Sequence, residues 1–534
     1  MDATTGWSRG LEVTGGGTGV VSHAGLALLR QLSDRTGLTP GLSAALPSPL
    51  GGHDRGRVFA DLACAIADGA RVISDFRVMG DQRELFGPVA SVPTAWRALG
   101  EIARGGDRRR RKVAAAVNKA RRHAWAHAAA RHGGLPPVRV ADRRLEGVTC
   151  IRLDATVVTA HSDKELAEPN FKGFGHHPII AACDNVAEPL AWMLRPGSAG
   201  SNTAADHLRL LREAIEALPP ALRRKIMVTC DGAGASHELV KELDRLAARH
   251  GYQVTYSVGW ALGARERAAI AVVPETAWQI AVDGKGEVRE RRADGACADP
   301  RCAHRACWIE EAHVAELTGL LREGPAGDQL EGWPKTMRVF ARRERPHPGA
   351  QLSLFEAADG RRYSLWVTNL PASTRGWRGQ CACIDAAHRV HARVEDVIRT
   401  GKDTGLGHFP LLISSSAIWE PSELLFCIVD SVVHEVFGSF PGCPRGSCFW
   451  VFPGRVAAGA RIVAARCSPS ARSSPSRSCR FSDSRVRMRA VAASRRRSSE
   501  AGVARCRPGS GGDAGVCCWR ERSCSICSRR SSCA

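Results

Sequence analysis

Apolar residues recur at steps of three and four through most of the first 140 residues, broken at LTPG, SPLGGHDRG and FGPVASVPT, and this spacing predicts a helical region. Within it, SVPTAWRALGEIA reads as a helix that Ser91 or Thr94 caps and Pro93 opens, with Trp96, Leu99 and Ile102 in a three-spaced apolar row. The short helical run DQRELFG and a glycine turn precede it, the layout of a helix-turn-helix; a plain helical bundle has the same pattern. From about residue 145 the period changes. VTCIRLDATVV, PIIAACDN and EPLAWML are rich in branched and apolar residues and predict strands of an antiparallel meander. NTAADHLRLLREAIEALPP then spaces Leu208, Leu211, Ile215 and Leu218 as a helix does. IMVTCDGAGAS predicts a strand ending at Asp231, Ser236 caps a helix with Leu239, Leu243 and Leu246 facing inward, and YQVTYSVGW predicts another strand.

That order, a strand bearing Asp154, hairpin strands, a helix, a strand ending in Asp231, a helix and a strand, is the order of a ribonuclease-H-like α/β fold. Such a fold is a mixed sheet with helices on both sides. Mixed strand and turn signals over 261–365, such as AWQIAVDGKGEVRERR and QLSLFEAADGRRYSLWVTNLP, predict a largely β insertion. The expected organisation is therefore a disordered stretch at 1–20, a helical DNA-binding region at 21–143, a catalytic domain at 144–260 and 366–410, the insertion at 261–365, and a tail at 411–534.

Composition sharpens this division. Lys and Arg number 75 against 54 Asp and Glu, a formal charge of +21 that favours polyanionic partners, nucleic acid first. Residues 411–534 supply more than half of that excess, with 19 arginines, no lysine and only eight acids. The same segment holds 24 serines and 11 of the 20 cysteines without any helical or strand period, and disorder is the expectation there. The first residues lack the apolar core of a signal peptide, and no run of eighteen apolar residues occurs. A soluble, cytoplasmic, nucleoid-associated protein without membrane contact is expected.

One helical stretch, HARVEDVIRTGKDTG at 391–405, concentrates candidate chemistry. At 3.6 residues per turn, His388, His391, Glu395, Arg399 and Lys402 share one face, and Val390, Val394, Val397 and Ile398 share another. Glu395 is then a carboxylate presented among cations, though an ordinary solvated face has the same look. Asp154 and Asp231 lie 77 residues apart and Glu395 a further 164, yet neighbouring central strands and a helix crossing the sheet can bring all three together. Carboxylate oxygens suit Mg2+ or Mn2+, and two such ions about 3.5–4 Å apart can clamp the attacking and leaving oxygens of a phosphodiester. Each acid alone has a plainer reading: a strand end, a turn, an ion pair with Arg399.

Other constellations are weaker. Arg108 to Lys112 with Lys119, Arg121 and Arg122 form a basic helical segment suited to phosphate contacts or to a solvated linker. CADPRCAHRAC offers Cys297, Cys302, His304 and Cys307 as zinc ligands, but without the common paired-cysteine spacing. Trp308, Trp333, Trp366 and Trp377 offer stacking for an unpaired base, or core packing. The glycines of DGAGAS lack the Gly-Lys-Ser or Gly-Lys-Thr of a phosphate loop, which argues against nucleotide binding.

Several long runs together resemble the DDE transposases of bacterial insertion sequences, specifically transposase DDE domain group 1 of the 1380-type elements. They include GLSAALPSPLGGHDRGRVFADLACAIADGARVISDFRVMGDQRELFGPVASVPTAWRAL, RLDATVVTAHSDKELAEPNFKGFGHHPI, RRERPHPGAQLSLF and HRVHARVEDVIRTGKDTGLGHFP. The resemblance runs from about residue 20 to 410 and places the three family acids on Asp154 in LDAT, Asp231 in TCDG and Glu395 in ARVED. Related transposases also carry a tyrosine, arginine, glutamate, lysine signature. Here Glu395 and Lys402 match its last two members, and His388 and His391 stand in the first two places. The resemblance implies two Mg2+ or Mn2+ ions, cleavage at terminal inverted repeats, strand transfer into target DNA and a homodimer on double-stranded DNA. It implies Lys402 as a phosphate contact, with Arg389, Arg393 or Arg399 replacing the missing cation; in the helical region, Arg97, Arg109 and Arg110 are further candidate DNA contacts. After GHFP the resemblance stops, and the tail reads as an out-of-frame extension of a decayed copy. A metal-dependent nuclease and a DNA-binding protein without catalysis are the rival readings.

Overall fold

Strands that are apolar on both faces need cover on both faces. The segments CIRLDA, IIAAC, KIMVTC and TYSVGW meet this condition, and they form the middle of one nine-stranded mixed sheet. The structure is a computed structural model, and it describes residues 11–15, 23, 25–160, 164–200, 203–299, 302, 304–347, 349–371, 380–403, 461–467 and 481–490. The sheet strands are β1 (Thr149–Ala155), β2 (Ile179–Cys183), β3 (Glu188–Met193), β4 (Lys225–Cys230), β5 (Gln253–Trp260), β6 (Gln279–Ile280), β7 (Ala312–Glu316), β8 (Arg338–Glu344) and β9 (Arg362–Thr368). Their spatial order is β6-β7-β8-β9-β5-β4-β1-β2-β3. β1, β4 and β5 run parallel, and the remaining neighbours pair antiparallel.

The stretch 261–365 departs from expectation. It supplies β6, β7, β8 and part of β9 to this same sheet, and the boundary expected at 366 falls inside β9. The free edge of β5 explains the difference, because β9 pairs there from Ser257↔Thr368 to Trp260↔Leu365 and satisfies its backbone groups. Within that stretch one hairpin, Glu290–Arg292 with Trp308–Glu310, forms a sheet of its own.

Ahead of the sheet lie helices α1 (Leu26–Arg35), α2 (Leu38–Ala45), α3 (Arg55–Ala67), α4 (Val92–Arg104) and α5 (Gly106–His132), so the helical region ends at 132 rather than 143. Their core includes Leu42, Phe59, Phe76, Leu99 and Ile102. α4 begins after Ser91 as its sequence predicts, with proline in its first turn. Trp96 does not join its buried row: Ala95, Ala98, Leu99 and Ile102 face inward and Trp96 is 45% exposed. Residues 95, 98, 99 and 102 follow the helical three-and-four spacing, and Trp96 lies one step off that stripe.

α5 spans two cores. Val113, Ala116, Val117 and Ala120 pack in the helical core, whereas Trp125 packs with the sheet. Its docking on β3 is polar and buried: Arg121 pairs with Glu188 at 2.5 Å and donates to the Pro189 carbonyl at 2.9 Å, and the Trp125 indole N–H donates to Glu188 at 2.8 Å.

Helices α6 (Ala204–Ala217) and α7 (His237–Ala247) cover one face of the sheet, Leu210, Leu211, Leu239, Val240 and Leu243 meeting Ile151, Leu153, Val228 and Val258. Ser236 caps α7 by accepting from the Leu239 N–H at 3.3 Å. Helices α8 (Gln380–Arg389) and α9 (Val394–Gly401) cover the other face. Most of the expected disordered stretches, 1–20 and 411–534, lie outside the described residues. Their described parts, Leu11–Gly15, Arg461–Cys467 and Phe481–Ala490, pair as a three-stranded antiparallel sheet. Among the described residues no helix is long and apolar enough to cross a membrane.

Removing Glu188 as Glu188→Ala leaves the buried Arg121 guanidinium without its carboxylate and the Trp125 N–H without its acceptor. A loss of about 3–5 kcal/mol is expected in urea unfolding, with Glu188→Gln losing less because an acceptor for Trp125 remains. An unchanged unfolding midpoint in Glu188→Ala would show that these bonds do not hold α5 on the sheet.

Candidate active site

Strand parity decides which side chains meet. In β1, Ile151 and Leu153 enter the core under α6 and α7, so Cys150, Arg152 and Asp154 point to the opposite face. In β4, Ile226, Val228 and Cys230 take the α6 and α7 side, which leaves Met227, Thr229 and then Asp231 on the same face as Asp154. The parallel register pairs Thr229 with Arg152 and Cys230 with Leu153, so Asp231, the next residue, comes level with Asp154. Neighbouring strands lie about 4.8 Å apart, and the two aspartates stand side by side.

Glu395 arrives from above. Val394, Val397 and Ile398 of α9 bury against Val158, Ile180, Ala182 and Trp192, and Ile180 is the register partner of Asp154. Glu395 flanks that buried row on α9, exposed and close enough to act on Asp154 by charge. Burial, then the Asp231 carboxylate, and to a lesser degree Glu395 push the Asp154 carboxyl up to about 7, against a bond from the Ala155 N–H at 2.8 Å. All three side chains offer carboxylate oxygens, the donor type that hard divalent cations take.

The turn after β4 owes its place to Gly259 of β5. A Cβ there would lie 2.8 Å from the Asp231 carbonyl carbon and 2.5 Å from the Gly232 nitrogen. Any side chain at 259 would displace the backbone that carries Asp231.

The single helix expected through 388–402 is broken. Val390–Arg393 forms a 3₁₀ turn between α8 and α9, and its tighter winding separates the histidines from the face of Glu395. His388 stacks on Trp366 with ring centroids 5.0 Å apart and 5° between planes, and bonds Ser257 at 2.9 Å. His391 bonds Thr229 at 3.0 Å. Burial pushes both imidazoles down to about 3, so both stay neutral at physiological pH and act as pegs into the sheet.

The expected basic contacts divide sharply. Arg393 pairs with Asp184 at 3.2 Å and donates to the Arg139 carbonyl, Arg389 donates to the Val282 carbonyl at 3.0 Å, and buried Arg110 pairs with Glu213 at 3.2 Å. These three tie parts of the protein together. Arg109 donates to the Glu101 carbonyl, leaving it half-buried. Arg97, Arg399 and Lys402 are exposed, Arg399 in a surface pair with Asp396 at 2.8 Å. Partial burial and the charge of Lys172 lower the Lys402 pKa, placing a second cation near it that sequence reading overlooked.

Arg152 was also missed. Fully buried two residues before Asp154, it donates to Thr229 at 2.9 Å and pairs with Asp184. The signal was present, since an arginine inside an apolar strand demands a buried partner. Among the tryptophans, Trp366 is core, Trp333 stacks on His237 at 3.7 Å beside Trp260, and Trp377 lies outside the described residues. Trp308 is half-buried and donates to the Cys302 carbonyl at 2.6 Å.

Two pH effects of opposite sign follow. Asp154 ionises near 3.9 when unfolded and near 7 when folded, so its charge destabilises the fold progressively as pH rises between those values. Asp154→Asn is expected to raise the thermal midpoint of the metal-free protein at pH 8, with the gain vanishing by pH 4; an equal gain at both would refute the crowding. The histidines run the other way, because stability present above pH 6.5 is lost as pH falls toward 3. Each should cost about 2 kcal/mol between pH 7 and pH 5, and His388→Phe should lose correspondingly less than the parent over that interval in urea titrations.

No curated protein matches the chain. Among solved structures, one described as the cryo-EM structure of a piggyBac transposase synaptic complex with hairpin DNA is similar at a TM-score of 0.37 and 9% identity, over 80% of this chain and 79% of that one. The profile of the family transposase DDE domain group 1 matches residues 4–409, most of the chain, and the protein belongs to that family.

Proposed function

We propose that the protein is a DNA transposase in which Asp154, Asp231 and Glu395 hold two divalent cations, Mg2+ or Mn2+, for cleavage and joining of DNA strands. The observation that carries this reading is the level pairing of Asp154 and Asp231 on one sheet face, with Glu395 charge-coupled above them, in a member of a transposase family. On this reading the sheet with α6 to α9 is a ribonuclease-H-like catalytic domain. When bound, the ions supply Lewis acidity to the phosphodiester and acidify water. The Ala155 N–H fixes one Asp154 oxygen, and Gly259 lets the Asp231 turn lie against β5. Lys402, Lys172 and Arg399 orient strand phosphates at the rim. Water opens the phosphodiester at a transposon end and leaves a 3′ hydroxyl. That hydroxyl then attacks a target phosphodiester in line, the target's 3′ oxygen departs, and no protein–DNA bond forms.

The helical region is the proposed grip on terminal inverted repeats. α4 exposes Trp96 and Arg97, and the start of α5 exposes Arg108, Arg111 and Lys112. A homodimer holding paired ends in the bacterial nucleoid completes the proposal. One observation favours a second reading, DNA binding without catalysis: the family match ends at 409, and beyond about residue 440 the composition is rich in serine, arginine and cysteine.

Pre-cut transposon ends, a supercoiled target and magnesium test both readings. Integration is expected, and it should fall to background in Asp154→Ala, Asp231→Ala and Glu395→Ala while end binding persists. Integration surviving any of these changes would falsify the assignment, and salt-sensitive binding with no integration by the unaltered chain would establish the second reading. Replacing Arg108, Arg111 and Lys112 with alanine should weaken binding to all sequences and lower the salt slope by up to about 2.7, as expected for three phosphate contacts.

A further inference from the structure

The hairpin of Glu290–Arg292 and Trp308–Glu310 is a two-stranded sheet with no third strand, a unit marginal in water by itself. Among the described residues from 290 to 311, only Cys302 and Cys307 are buried, and none of that stretch belongs to a hydrophobic core cluster. Apolar packing therefore does not hold the loop between the strands. Small units without a core are commonly stapled by disulfides or metals.

The side chains point to the staple. One ligand atom from each of Cys297, Cys302, His304 and Cys307 can be chosen so that all four lie within 4.8 Å of one another. The sulfurs of Cys297 and Cys307 are 3.8 Å apart, far beyond the ~2.05 Å of a disulfide. A tetrahedron with Zn–S bonds of about 2.3 Å has an edge of about 3.8 Å. His304 Nδ1 lies 3.0 Å from the Cys302 sulfur.

The backbone is wound to present these atoms. The Cys302 N–H donates to the Asp299 carbonyl at 3.2 Å and the Cys307 N–H to the His304 carbonyl at 2.9 Å, so a tight turn leads into each buried cysteine. The His304 N–H donates to the Cys302 sulfur at 3.3 Å, the kind of outer bond that stabilises a thiolate ligand. The Ala293 N–H closes the loop on the Cys307 carbonyl at 2.9 Å, and Arg292 holds the Asp299 carbonyl at 2.7 Å.

We infer that Cys297, Cys302, His304 and Cys307 form a structural zinc site. All four ligands come from one loop of eleven residues, which is why the spacing of a two-part zinc knuckle is missing. Three thiols each give up a proton on binding, and the thiolates with one neutral imidazole complete a closed tetrahedral set. Soft sulfur donors select zinc over the hard cations suited to the carboxylates of Asp154, Asp231 and Glu395.

Cys297 supplies the test because its thiol is exposed and reacts readily if free. The full chain, purified with zinc, is treated with a maleimide before and after a strong chelator, and labelling is read peptide by peptide. This localises the answer despite the other cysteines. Slow labelling of Cys297, Cys302 and Cys307 that accelerates at least tenfold together on chelation is expected, and His304→Ala should remove most of the protection. Cobalt substituted into the unaltered chain should give tetrahedral visible bands and a sulfur-to-cobalt charge-transfer band, weakened in His304→Ala, so the result does not depend on a cysteine variant folding. Fast labelling of Cys297 that the chelator does not change, or a Cys297–Cys307 disulfide in the peptide map, would overturn the assignment.

Discussion

Two carboxylates of like charge are held level on adjacent parallel strands, and the surrounding structure must keep them there. The ladder between β1 and β4 sets their height, and strand parity sets their face. Asp154 cannot shift along β1 without a register slip, which would send every buried side chain of the strand to the wrong side, and the close approach of Gly259 keeps the Asp231 turn against β5. The repulsion appears instead as the raised Asp154 pKa. A fold that retains this conflict at its centre has placed a demand for positive charge there.

The third acid depends on polar anchoring one layer out. Arg152 and Thr229 lie on the same sheet face as the aspartates, and Asp184 closes the pair on the Arg152 side. His391 binds Thr229 and Arg393 binds Asp184, so the 3₁₀ turn before α9 is fixed at two points of this network. His388 adds a third anchor on Ser257 and Trp366. Both imidazoles are neutral, so these two anchors themselves add no charge beneath the carboxylates. Glu395 is thus positioned by contacts that begin four and seven residues before it.

Much of this was legible in the sequence. An aspartate inside CIRLDAT is a charge where strand burial should forbid one, and a second closes IMVTCD; the strand register then puts the two on one face. The apolar row Val394, Val397 and Ile398 gave the docking side of the last helix correctly. The helical wheel failed upstream because it assumes constant winding, and nothing in HRVHAR signals a 3₁₀ turn. The roles of Arg110, Arg389 and Arg393 were equally hidden, since a solvated cation and an internally paired one look alike until the partner acid is placed. Sheet membership of 312–316 and 338–344 also stayed hidden, because strand pairing is a non-local choice made by the unsatisfied edge of β5.

The sheet order separates the two proposed metal chemistries as well. The cysteine-rich hairpin lies between β6 and β7 in the chain, and its far strand ends two residues before β7. β7 stands five strand steps from β1, about 24 Å across the sheet at the usual spacing. A zinc ion bound in the loop would be held by residues that include none of the three carboxylates. Its consequence is mechanical: fixing the loop fixes Arg292 and Trp308, which close over each other at 5.5 Å and pair their backbones across the hairpin.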